Sequence, residues 1–170
     1  MISESSEWLK KQNKIELYRV QKKGIIDDLR VCIRYTQNRE NDLLCFMEQY
    51  IKAEKKNRPR LLEQIKHCIN YEEYENPFLA YVNYDEKHIE EFENILNRYI
   101  DKLKGSNGIF EEIEKNIEDI ILRINELHNK CQSQLIDPWR NERLTEYIAT
   151  ASQYTGFQNT KDIIKAKKLW

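Results

Sequence analysis

Glycine and proline are scarce in this chain, four and three among 170 residues, and that scarcity argues against a many-turned β protein, whose hairpins and bends draw on both. Histidine is scarcer still, at three. None sits in the Glu-x-x-His spacing that a di-iron bundle needs to bring a carboxylate and an imidazole one turn apart: the residues three before His67, His88 and His128 are Gln64, Asp85 and Asn125. His67 beside Cys68 fails as a zinc pair, because adjacent helical side chains diverge by about 100°. No metal and no other cofactor is expected.

The four cysteines, Cys32, Cys45, Cys68 and Cys131, form no CxxC and no dense framework, so reduced core thiols are the expectation. Apolar runs, such as Ile120 to Leu122, do not exceed five residues, far short of the roughly 18 of a membrane span. The opening MISESSEWLKKQNK has neither the apolar core nor the cleavage site of a secretory leader. A soluble cytoplasmic protein without a membrane partner is expected. There is no G-x-S-x-G, no P-loop and no G-x-G-x-x-G; Gly105 and Gly108 read as a helix stop and restart. Carboxylates at Glu111, Glu112, Glu114, Glu118 and Asp119 lie opposite an isoleucine stripe and read as a solvated face. Catalysis is therefore not expected, and no catalytic residue is assigned.

What is abundant points to helix. Apolar residues are 40% and charged residues 34% of the chain, enough to build a core and too apolar for disorder. Plentiful Ile, Lys, Asn and Glu with little Ala point to a bacterial or phage source. Apolar positions recur at intervals of three and four almost throughout. A first helix starts near Ser5 or Ser6 and stops at Gly24. Ile26, Leu29, Ile33, Leu43 or Leu44, Met47, Tyr50 and Ile51 continue the pattern as one helix or two, and Pro59 opens a third helix holding Leu61, Leu62, Ile65, Cys68 and Ile69. Asp85 caps a helix with Ile89, Phe92, Ile95, Leu96, Tyr99 and Leu103. A long helix near 109–135 follows, then one capped by Asp137 with Pro138 in its first turn and a stop at Gly156, and a short last helix capped by Thr160. The expected fold is all-α, a single irregular bundle of about six or seven helices forming one domain over 1–170.

Two surfaces are candidates for function. Net charge is −1 overall, but it divides into +5 over residues 1–70, −9 over 71–119 and +3 over 120–170. The acidic middle contains "NYEEYENPFLAYVNYDEKH", with rings at Tyr71, Tyr74, Phe78, Tyr81 and Tyr84. Pro77 breaks a continuous helical face there. Five rings of about 150–250 Å² each also exceed the largest apolar patch of a soluble monomer, about 300–600 Å², so most must be buried. The expected protein-binding site is therefore Tyr81, Tyr84, Asp85, Glu86, Glu90 and Glu93, facing a basic protein such as a toxin or effector. The leading expectation is an immunity or inhibitor protein. The second is a nucleic-acid-binding or regulatory adaptor using Lys52, Lys55, Lys56, Arg58 and Arg60. The third is a self-associating module pairing its isoleucine stripe across a two-fold axis, a homodimer.

Overall fold

The computed structural model describes residues 4–69 and 82–170, and the side chains of these except 4, 35–40 and 67. Among the described residues there are seven α-helices and no strand, as the all-α expectation requires: α1 (Glu4–Tyr18), α2 (Lys23–Lys52), α3 (Arg58–Ile69), α4 (Glu86–Gly105), α5 (Phe110–Lys130), α6 (Pro138–Gln153) and α7 (Thr160–Lys167). The chain forms two compact units, Met1–Leu29 with Asn83–Trp170, and Arg30–Val82. The first division falls inside α2, where no glycine or proline marks it.

In the first unit, α4 is the best-specified element. Its buried residues Ile89, Phe92, Leu96, Tyr99, Ile100 and Leu103 follow the three-four spacing, and each full burial contributes about 1.5–3 kcal/mol. Asp85 opens it as expected: its carboxylate accepts from the Lys87 and His88 amides at 3.0 and 3.2 Å, while His88 Nδ1 accepts from the Asp85 amide at 3.2 Å. These three bonds, reciprocal between Asp85 and His88, satisfy three otherwise free amides. After α4 the buried Ser106 hydroxyl donates to the Leu103 carbonyl at 2.8 Å, and Asn107 and Gly108 take positive φ. A side chain at Gly108 would touch the Trp8 ring at 3.4 Å, an ordinary contact, so it is the positive φ that favours glycine in this turn.

The chain then returns as α5, which packs on α4 and α7 and buries Ile113, Ile117, Ile120, Ile121, Ile124 and Leu127. The long helix expected near 109–135 ends at Lys130. Gln132 and Ser133 take φ of 51° and 61°, and the Ser133 amide donates back to the His128 carbonyl at 2.9 Å, a left-handed helix end made without glycine. Cys131 and Leu135 are buried and continue the apolar spacing past the end of the helix. With the stripe covered inside the first unit, its pairing across a two-fold axis loses its motive.

Polar contacts fasten the remaining elements of this unit. Asp137 caps α6 through the Arg140 amide at 2.7 Å. Thr160 does not cap α7, whose cap position is Asn159; its buried hydroxyl instead meets that of Ser152 on α6 at 2.5 Å. Asn125 on α5 donates to the Lys167 carbonyl at 3.0 Å and accepts from the Leu169 amide at 2.9 Å. The first helix breaks not at Gly24, which lies in the first turn of α2, but at the 3-10 turn Arg19–Lys22. There the Arg19 guanidinium bridges Glu16, Asp101 and the Asn97 carbonyl. Hydrogen bonds from Arg19 and Lys104 hold the Glu16 carboxyl down to about 2.

The second unit contains the rest of α2, one continuous helix of 30 residues, and α3. Pro59 lies in the first turn of α3 as expected, where its missing amide proton is not needed. Leu61 and Cys68 are buried, but Leu62 and Ile69 are exposed. Tyr71, Tyr74, Phe78 and Tyr81 lie outside the described residues.

Candidate functional site

The acidic site expected from the sequence is largely taken up by structural roles. Tyr84 is 5% exposed, with the Arg140 guanidinium 5.9 Å from its ring centre, so it packs inward and is no surface anchor. Asp85 serves as the cap of α4, and the His88 backbone amide holds its carboxyl below the usual carboxylate range. Glu93 reaches Lys22 at 3.6 Å. Glu86 and Glu90 are exposed. Glu90 borders a cleft of about 400 Å³ between α4 and α5 whose charged lining is Lys87, Glu90, Glu91, Arg98, Arg123 and Glu126. Three cations among three anions give no uniformly negative face, since Lys87 and Arg98 of α4 and Arg123 of α5 all border it.

Beneath that region lies a buried cation that the sequence did not single out. Arg140, 4% exposed, donates through Nε to Asp28 at 2.6 Å and through a terminal nitrogen to the Leu135 carbonyl at 3.2 Å. It joins the start of α2 to the start of α6. This ties the fold together and leaves no open position for a ligand. His128 is also buried, and its Nδ1 accepts from the Ile136 amide at 3.2 Å; burial lowers its pKa.

A second cleft, of about 510 Å³, opens beside Tyr18, Lys23, Asp27, Arg143 and Glu146. Its polar groups are mostly engaged elsewhere: Arg143 lies over the Trp139 ring at 5.0 Å and Glu146 pairs with Lys161 at 3.2 Å. No group of three or more His, Cys, Asp or Glu placed to hold a metal occurs among the described residues. None of the four cysteines is in a disulfide, and one departs from the expectation of core thiols: Cys45 is exposed.

The basic candidates stand together in the second unit, at the end of α2 and around the turn into α3, and all five are exposed. Lys56 pairs with Glu54 at 3.0 Å. Arg58 lies over the Tyr50 ring at 5.6 Å and donates to the Ala53 carbonyl at 3.3 Å. Lys52, Lys55 and Arg60 make no ion pair among the described residues.

Next to them is a feature that sequence reasoning did not single out. Leu44, Met47 and Ile51 continue the helical periodicity as expected, and they are 61%, 46% and 74% exposed. At 3.6 residues per turn they fall within about 60° of arc, and half-buried Leu43, Phe46 and Tyr50 widen the same apolar sector to about 160°. Half of that sector is uncovered. The only sequence signal is its width, which cannot tell covered positions from open ones.

No helix among the described residues is long and apolar enough to cross a membrane. Comparison with protein-family models, with curated proteins and with solved structures finds no significant match to this chain.

Proposed function

We propose that this chain is a protein-binding module, of the kind that restrains or escorts another protein in the bacterial cytoplasm as an immunity or inhibitor protein does, and that it docks through the second half of α2. The observation that carries the reading is the row Leu44, Met47 and Ile51, three large aliphatic side chains at i, i+3 and i+7 left open to water. Single exposed leucines are ordinary, but a helical row is the form in which one helix offers anchors to a partner. A few clustered anchors carry most of the energy of a protein interface.

Replacing Met47 and Ile51 together by Glu tests it. The variant is expected to lose its partner in a pull-down from the native host, while its unfolding midpoint in urea moves by no more than about 0.5 kcal/mol per site, as exposed positions do. Retention of the partner at wild-type yield would refute docking through this row. Glu90→Lys with Glu93→Lys, the substitutions that the acidic site predicts to be disruptive, is the comparison arm and should leave capture intact.

A further inference from the structure

We infer that the α2 row is built for an acidic amphipathic helix of the partner, its apolar face on Leu44, Met47 and Ile51 and its carboxylates on the cations that follow. This rests on the proposed docking role of α2 and adds the chemistry of what docks.

Two observations on the same stretch combine here. The row advances about 10 Å along one helix face, which matches successive turns of another helix. The stretch that holds the row, residues 41–51, carries no cation; positive charge resumes at Lys52, one residue after Ile51, and continues through Lys55, Lys56, Arg58 and Arg60, with Glu54 the sole acidic residue between Lys52 and Arg60. Lys52, Lys55 and Arg60 have no carboxylate partner among the described residues, so an incoming carboxylate would not have to displace one. A partner helix with an apolar row and an acidic end therefore meets an apolar row with a basic end, in one register.

The same placement disfavours other polyanions. A helix lying on a membrane carries its cations along both flanks of the apolar face, but here they gather past its end, and Glu48 borders the row itself. Single-stranded nucleic acid is gripped by cations interleaved with free aromatic faces. The Tyr50 ring is covered by Arg58, and the exposed neighbours are aliphatic.

The test uses three synthetic amphipathic helices with the same leucine row and end blocks of Glu, Gln or Lys, titrated against the full chain by fluorescence anisotropy. The Glu peptide should bind about tenfold tighter than the Gln peptide at low salt, and the Lys peptide weaker than either. The gap should close near 1 M salt, where the Debye length is about 3 Å. Lys55→Glu with Lys56→Glu and Arg60→Glu should abolish the preference for the Glu peptide, and Met47→Glu with Ile51→Glu should abolish binding of all three. Met47→Gln with Ile51→Gln serves as the second variant where the glutamates lower helicity by circular dichroism. Equal affinity for the three peptides would overturn the acidic partner and leave docking through α2 standing. No binding by any peptide, or binding unmoved by the Met47 and Ile51 substitutions, would overturn both. Tighter binding to phosphatidylserine vesicles or to duplex DNA than to the Glu peptide would overturn the acidic helix in favour of lipid or nucleic acid.

Discussion

Helix α5 and the second half of α2 carry nearly the same pattern, large aliphatic residues every three or four positions, yet they end in opposite states. Ile113, Ile117, Ile121 and Ile124 are fully buried, whereas Leu44, Met47 and Ile51 are about half exposed or more. Periodicity determines which residues share a face. Whether the face is covered depends on what packs on it: α5 has α4 and α7 against it, while the open part of α2 has nothing among the described residues. An apolar sector left open in water is unfavourable for a monomer, and it reads as an interface rather than as a core.

The sharpest way to break this comparison is to truncate one residue on each side. Phe92→Ala on α4 should lower stability by about 3–5 kcal/mol, measured by urea unfolding of the whole chain. Leu44→Ala should stay within about 0.5 kcal/mol. Equal losses would mean that the α2 row is covered in solution.

Arg140→Ala should cost somewhat less, about 3 kcal/mol, since it leaves Asp28 and two backbone carbonyls without their cation. Asp28 is partly exposed, and water will repay some of its loss. Arg140→Lys should recover only part of it, because an ammonium cannot span Asp28 and the Leu135 carbonyl as the planar guanidinium does. Urea midpoints for the two variants settle the order.

The smallest effect is acid sensitivity. Burial lowers the pKa of His128, so in mildly acid solution the unfolded chain binds a proton that the folded chain refuses. The stabilisation from neutral His128 is complete above the ordinary histidine pKa of about 6.5 and is lost as pH falls below it. Unfolding midpoints taken between pH 7.5 and pH 5.5 should therefore fall on the acid side in the wild type and fall less in His128→Gln. The α2 variants should keep the wild-type slope, which separates the two regions again.

Much of the first unit was legible in the sequence, because its signals are local. Asp85 three residues before His88, Pro138 after Asp137, and the spacing of Ile89, Phe92, Leu96 and Leu103 each determine nearby geometry. What was not legible depended on distant contacts. The end of α5 could not be read, since Gln132 and Ser133 take left-handed φ that glycine usually signals. Gly24 suggested a helix stop that the Arg19 bridges place five residues earlier. Tyr84 looked like an anchor until Arg140, 56 positions away, drew it inward. The cleft beside the acidic stretch takes its third cation, Arg123, from a neighbouring helix, beside Lys87 and Arg98 of α4 itself. The basic cluster needed no distant partner, and its five residues are exposed as the sequence implied.

The exposure of Cys45 gives this surface an experimental handle. The other three cysteines are buried, and burial pushes the Cys131 thiol up to about 11, where little reactive thiolate exists near neutral pH. A maleimide dye added in limiting amount should therefore modify α2 first, at the residue after Leu44. A fluorophore there sits about 100° around the helix from Leu44, clear of the row itself, so the native chain can carry a label whose anisotropy reports a bound partner without any engineered mutation.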